Sequence, residues 1–230
     1  IMKKIFTLLL LALFTFQLSA QTMAFSVVEI KAKPFTQKDI KEAFEKAFEG
    51  VKMNKGGIVI ERFTSGKNEG MTHRIVFLYT LGEQMIEDEF WGSDKNSAFW
   101  AKMRNYVEEW GSSSSGRMLS WKEGDTDKMP QVHIWDIIPE DPVAFKTNHD
   151  KIVEEFAADF KDRVVGFGTY DIGLPNGATH WVGLTGEDTQ DHLMLYDKME
   201  KKERFMELLA KRGNFELVKD FELRILSRLQ

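Results

Sequence analysis

The sequence predicts an α+β protein made of two tandem β-α-β-β-α-β units whose sheets pack face to face within one chain. Three observations predict this. A self-similarity recurs at one offset of 107 residues: Gly70-Met71-Thr72-His73-Arg74-Ile75-Val76 returns as Gly177-Ala178-Thr179-His180-Trp181-Val182-Gly183. The same offset carries residues 25–30 onto 132–137, 58–60 onto 165–167 and Phe63 onto Tyr170. Each copy then shows the same order of strand and helix signals, the split βαβ pattern. Finally, right-handed crossovers give the strand order 4-1-3-2 with both helices on one face. That leaves an apolar sheet face bare, and the twin unit is its simplest cover.

The first unit, residues 21–121, opens with a strand over 25–32, rich in Val and Ile. Pro34 ends it. Thr36 is placed to cap a helix, with Asp39 at the capping-box position and Phe35 and Ile40 at staple spacing. Ile40, Phe44, Ala47, Phe48 and Val51 form its apolar stripe. Gly56-Gly57 precede a second strand over 58–63, and a Gly- and Asn-containing loop leads to a third over 72–81. Ser97 is placed to cap a second helix with the stripe Phe99, Trp100, Met103, Tyr106, Val107 and Trp110. The tract Gly111-Ser112-Ser113-Ser114-Ser115-Gly116 reads as a flexible turn, and 117–121 as the fourth strand.

Residues 122–130 are polar, with Gly, Asp and Pro, and read as a linker. The second unit, 131–230, repeats the order. A strand spans 132–138, and Asp141-Pro142 is a helix start with a cap residue followed by Pro at the first position. Phe145, Ile152, Val153, Phe156 and Phe160 make the stripe. Strands over 164–170 and 179–184 flank a turn at Pro175-Asn176-Gly177. One long helix is expected over 191–212, with Gly213 as its C-cap. The strand over 221–229 alternates Phe221, Leu223 and Ile225 with Glu222 and Arg224.

Residues 1–20 read as an export signal. Lys3 and Lys4 precede a nearly unbroken apolar run, too short for a comfortable bilayer span, and Leu18-Ser19-Ala20 offers a cleavage site. The remainder has no second long apolar stretch, so the expectation is an exported periplasmic or extracellular protein, not embedded in a membrane. There is no Cys, hence no disulfide. The formal charge is −5, or −7 without Lys3 and Lys4. An acidic chain with no long basic run is a poor ligand for nucleic acid, whose binding rests on neutralising phosphates. The run 198–204 mixes signs and reads as a solvated helix face.

The strand-one wording Val27-Val28-Glu29-Ile30-Lys31-Ala32-Lys33-Pro34, the four-helix count and the doubled unit resemble the dimeric α+β barrel (ferredoxin-like) superfamily in tandem form. The resemblance covers 25–229 and singles out no subfamily. It implies that such barrels include cofactor-independent monooxygenases, haem enzymes and small barrels without a known reaction.

Candidate chemistry centres on a few residues. His73 and His180 each begin a third strand after Gly-x-Thr, and the expectation that strands one and three run parallel puts His180 at the same sheet end as His133. Two imidazoles there would bind a metal or exchange a proton; the alternative is that each ring packs or caps a hairpin end. No metal-ligand spacing such as His-Glu-x-x-His appears, so no metal site is assigned. Glu29 and Asp136 hold equivalent places in strand one. If buried, either has a raised pKa and serves as a base; otherwise it meets solvent or a partner such as Arg74 or Arg62. His133, Asp136 and His180 are the catalytic candidates. Glu29, His73, Arg74, Trp135 and Trp181 are candidate ligand contacts, as are Phe90 and Trp91 of the acidic loop 83–97, which reads either as a lid or as a satellite core. Haem-bearing members of the resembled superfamily imply an axial His from the second half, where His149 and His192 lie. No arginine-rich distal motif accompanies them, so both read as exposed helix residues and haem is not expected. The leading expectation is a barrel that binds a small apolar or aromatic ligand between its sheets or under the acidic loop, without a strong catalytic signature. The alternatives are a cofactor-free oxygenase with a His or Asp base, and a surface interaction protein.

Overall fold

The computed structural model describes residues 22–66, 69–86 and 88–229; the expected export signal lies outside them. Eight strands, β1 (Met23–Ala32), β2 (Gly56–Gly66), β3 (His73–Thr80), β4 (Val107–Lys122), β5 (Gln131–Pro139), β6 (Val165–Thr169), β7 (His180–Gly186) and β8 (Phe215–Leu229), form a closed barrel. Around it the strands run β1-β3-β2-β8-β5-β7-β6-β4. Each half keeps the expected order 4-1-3-2. Every neighbouring pair is antiparallel. The two sheets are joined at their edges, β2 to β8 and β4 to β6, which leaves no row of unpaired edge amides.

The 107-residue offset holds at the level of register. Ile30 faces His73 and Ile137 faces His180; Phe25 faces Gly116 and Val132 faces Leu223. The halves also join alike: Ile58 faces Leu229 and Val165 faces Lys122.

Alternation assigns each strand residue to one of two environments. Phe25, Val27, Val59, Val76, Ile134 and Leu223 fill the barrel. Ile30, Ile58, Ile60 and Ile75 point outward and pack under α1 (Gln37–Phe48), with α2 (Asp88–Trp91) and α3 (Asp94–Met103) alongside. In the second half α4 (Pro142–Glu155), α5 (Thr189–Glu200) and α6 (Glu203–Lys211) cover the outer face. Asp141 caps α4 as expected, its Oδ1 accepting from the amides of Val143 and Ala144.

Several expectations are corrected. β1 and β3 are antiparallel, because the helix crossover makes β1 and β2 parallel and inserts β3 between them, so His180 lies at the opposite end of β7 from the residue facing His133, Leu184. Thr36 makes no side-chain cap, and its hydroxyl donates instead to Lys33 O. Phe35 is 93% exposed with φ 67°, so there is no staple. α3 starts at Asp94, capped by Ser93, whose Oγ accepts from Asn96 N, and it ends at Met103. Val107 and Trp110 therefore belong to β4. The Ser tract is strand: Ser114 pairs with Val27, and Ser115 Oγ lies 2.8 Å from Ser26 Oγ. Small residues there let β4 leave β1 and join β6; a Cβ on Gly116 would sit 1.7 Å from Thr169 O. The single long helix is two, broken at Lys202, whose Nζ is drawn to Asp159 at 2.6 Å. β8 begins at Phe215, six residues before the expected start.

Candidate functional site

The catalytic candidates divide between two sides of the barrel wall. Asp136, on β5, points inward and is 2% exposed. It accepts a 2.7 Å hydrogen bond from Tyr170 OH. Burial pushes its pKa up to about 6 despite that bond and the nearby Arg74 and Lys219 cations. Further ionisable groups share the interior. Arg74 donates through Nε and an Nη to Glu61 at 3.0 and 2.8 Å, and Lys219 Nζ lies 3.7 Å from Glu29. The expected partner of Glu29, Arg74, is thus taken by Glu61.

His133 and His180 face outward, toward helices. His180 shares a 2.9 Å hydrogen bond with Thr179 Oγ1 and stacks on Phe167, their rings 5.4 Å apart. His73 is its counterpart: it shares a 2.8 Å bond with Thr72 Oγ1, and burial lowers its pKa to about 4. Each ring thus packs beside the threonine that precedes it, and Nε2 of His73 is sealed without a hydrogen-bond partner. His133 stands elsewhere, in a short relay: its Nδ1 shares a 2.8 Å bond with Tyr196 OH, which is 3.3 Å from His192 Nδ1. Burial lowers the pKa of both imidazoles, and raises that of Tyr196.

The relay borders a chamber of about 410 Å³ between the outer face of the second half and its helices. That volume lies in the range of small-molecule sites. Trp135, Phe145, Phe160, Phe205 and Phe215 give it aromatic walls, and Tyr196, Glu200, His149 and Arg212 are its polar lining. His149 and His192, expected to be exposed, are 3% and 1% exposed. Burial, reinforced by Arg212, lowers the His149 pKa to about 3, so the ring is neutral. Its Nε2 is sealed from solvent without a hydrogen-bond partner, and so is Nε of Arg212. The guanidinium lies over the Phe145 ring at 4.0 Å, and burial lowers its pKa to about 10. Among the described residues it has no carboxylate in ion-pair contact.

Another cavity, about 130 Å³, lies inside the barrel beside Arg74, Tyr170 and Trp181. Phe90 and Trp91 line neither cavity. Phe90 packs on Phe48 at 4.8 Å within the first half's core, and Trp91 is 39% exposed against it. Among the described residues no group of three or more His, Cys, Asp or Glu is arranged to hold a metal, and no helix is long and apolar enough to cross a membrane.

No family model matches the sequence, and no curated protein matches it. Solved structures do match the fold. A candidate monooxygenase from Lactobacillus acidophilus superposes with a TM-score of 0.63 at 11% identity, over 91% of this chain and 97% of its own. A candidate monooxygenase from Fusobacterium nucleatum gives 0.56 at 14% identity, over 92% and 95%. An anthrone oxidase-like protein gives 0.54 at 8% identity, over 90% and 92%. At such identities the likeness is one of fold, and that fold is the tandem form of the dimeric α+β barrel.

Proposed function

We propose that the chain binds a planar aromatic compound bearing an acidic group, a carboxylate or phenolate, in the chamber under the helices of the second half. The observation that carries this reading is Arg212: a guanidinium with a sealed, unpartnered Nε on the wall of an aromatic chamber. The walls bury the ring system, and the guanidinium supplies a charge-assisted hydrogen bond worth about 1.5–3 kcal/mol. That corresponds to roughly ten- to hundredfold in Kd. Competition against the fluorescence of 1-anilinonaphthalene-8-sulfonate tests it. 2-Naphthoate is expected to bind tighter than naphthalene by that factor, and Arg212→Gln to erase the difference. Absence of saturable binding, or an unchanged preference in Arg212→Gln, would rule the reading out.

Because candidate monooxygenases share the fold, oxidation of the bound compound is the enzymatic form of the same reading. Of the three bases named from the sequence, His133 is the one whose partner, Tyr196, lines the chamber. Asp136 and His180 do not line it.

A second reading rests on His149. A neutral imidazole whose Nε2 has no hydrogen-bond partner, on the wall of an aromatic chamber, is a residue that would hold haem iron. His149 would hold the iron, Arg212 would pair with a propionate, and the bound group would supply redox chemistry. The chain's own part is an apolar enclosure that excludes water. A Soret band on haemin titration that disappears in His149→Ala supports this reading; no spectral change eliminates it.

A further inference from the structure

The barrel interior carries a site of its own, independent of the outer chamber. Its polar side chains are mutually engaged: Arg74 with Glu61, Tyr170 with Asp136, Lys219 near Glu29. Among the described residues one buried polar side-chain atom of the interior is left without a partner, the indole Nε1 of Trp181. Trp181 is 7% exposed and lines the 130 Å³ cavity.

The local sequence explains how the indole fits. β6 reads Val165-Gly166-Phe167-Gly168, with glycine at both inward positions. A Cβ on Gly168 would come within 2.6 Å of the Trp181 ring, and one on Gly166 within 2.9 Å. The indole therefore lies flat over a strip of bare backbone. Phe25 meets it edge-on, ring centres 5.7 Å apart. At the positions 107 residues earlier stand Arg74, Glu61 and Val59. Only the second half removes its side chains to make room for an aromatic donor.

Three properties define what such a cavity accepts. Its volume is close to that of an engineered apolar cavity of about 150 Å³ that takes up benzene, so one ring fits. Arg74 and Lys219 already have carboxylate neighbours, so no net charge is called for beside them. The unpaired group is a donor, so the ligand must offer an acceptor. We propose that the barrel interior binds an uncharged single-ring aryl carbonyl compound, whose carbonyl oxygen accepts the hydrogen bond of Trp181 Nε1 once the indole tilts from its seat on β6 and brings that sealed N–H to the cavity. Entry is at the barrel end where Trp121, Glu123 and Thr126 line the cavity beside solvent.

The test uses the whole folded chain labelled with ¹⁵N at the tryptophan indoles, the Trp181 signal being assigned from Trp181→Phe. Acetophenone is titrated against ethylbenzene, which has similar size and no acceptor. Expected are a saturable downfield shift of the Trp181 N–H with acetophenone, and roughly tenfold weaker binding of ethylbenzene. Trp181→Phe equalises the two compounds, read from ligand-detected NMR. Arg212→Gln leaves acetophenone binding unchanged, which separates this site from the outer chamber. Equal binding of the two compounds, a shift that grows linearly without saturating, or a preference surviving in Trp181→Phe overturns the proposal. Should Trp181→Phe fail to fold, the signal is assigned instead from nuclear Overhauser contacts of the indole with Phe25 and Gly168, and the wild-type shift and the comparison with ethylbenzene decide.

Discussion

The two halves share strand order and register yet fill the space under their helices differently. In the first half Phe44, Phe48, Phe90 and Phe99 close into one ring cluster, with Phe44–Phe99 at 4.7 Å and Phe48–Phe90 at 4.8 Å. In the second half one group of rings, Phe145 with Phe167 at 5.0 Å and with Phe215 at 5.8 Å, and another, Phe156–Phe205 at 5.6 Å, stand around the 410 Å³ chamber instead of closing it. The barrel interior shows the same divergence. Glu61 and Arg74 form a buried ion pair where Gly168 and Trp181 stack ring on backbone. One copy secures the fold with a solid core, and the other is free to leave volume open. The hollow half is therefore where function is to be sought.

The largest expected effect breaks this comparison directly. Phe44→Ala removes a fully buried ring from the solid core and is expected to cost about 3–5 kcal/mol. Phe205→Ala removes a half-buried ring that already faces open volume, and its cost is expected to be about 1–2 kcal/mol. Urea unfolding of both variants measures the contrast, and equal costs would mean the second half is packed as tightly as the first.

The duplication was legible because alternation and turn residues are local signals, and both copies carry them. Barrel closure was not. The Gly-Ser tract reads as a turn because its composition matches one, whereas its small residues serve a bend between β1 and β6, strands distant in sequence. The acidity of the interior was half legible. Glu29 and Asp136 were recognisable as carboxylates within apolar strands, but Glu61, Lys219 and Tyr170 join them only once the strands are wrapped. In the outer chamber, His149 carried a readable signal: with Phe145, Ile152 and Phe156 it falls on the helical stripe that faces the sheet. Arg212 carried none, since an arginine before a C-terminal glycine is what any solvated helix end shows.

Acidity sharpens the comparison at the next level of effect. Asp136 is held at about 6 by burial, above its ordinary 3.8, so the fold favours its protonated form. Its stabilising contribution is complete below about pH 4 and is lost as the pH rises toward 6. His149 has the opposite sign: held at about 3, below its ordinary 6.5, it favours the fold when neutral, and that contribution is lost as the pH falls from 6.5 toward 3. Between pH 6 and 4 the inner and outer faces of the second half therefore oppose one another. Asp136→Asn should steepen the loss of stability on acidification, by at most about 3 kcal/mol across that window. His149→Gln should make it shallower. Urea midpoints at pH 4, 5 and 6 give both slopes, and parallel slopes in the two variants would show that neither group is buried as described.

The smallest contrast compares the repeated Thr-His pair itself. Backbone geometry is shared: Thr72 N donates to Ile30 O at 2.9 Å, and Thr179 N to Ile137 O at 3.2 Å. The side chains differ. Thr72 Oγ1 accepts from Ala32 N at 2.8 Å and donates to Ile30 O at 3.3 Å, besides sharing its bond with His73. Among the described residues Thr179 Oγ1 bonds only to His180. Thr72→Val strands an amide and an imidazole nitrogen together, an expected cost of about 1–2 kcal/mol; Thr179→Val strands the imidazole alone, about 0.5–1 kcal/mol. The ordering follows from β1 running on to Ala32 beside Thr72. Equal losses in the two variants would mean that the hydroxyl of Thr72 does not tie down the end of that strand, and that the copies are interchangeable at the one place where their sequences agree best.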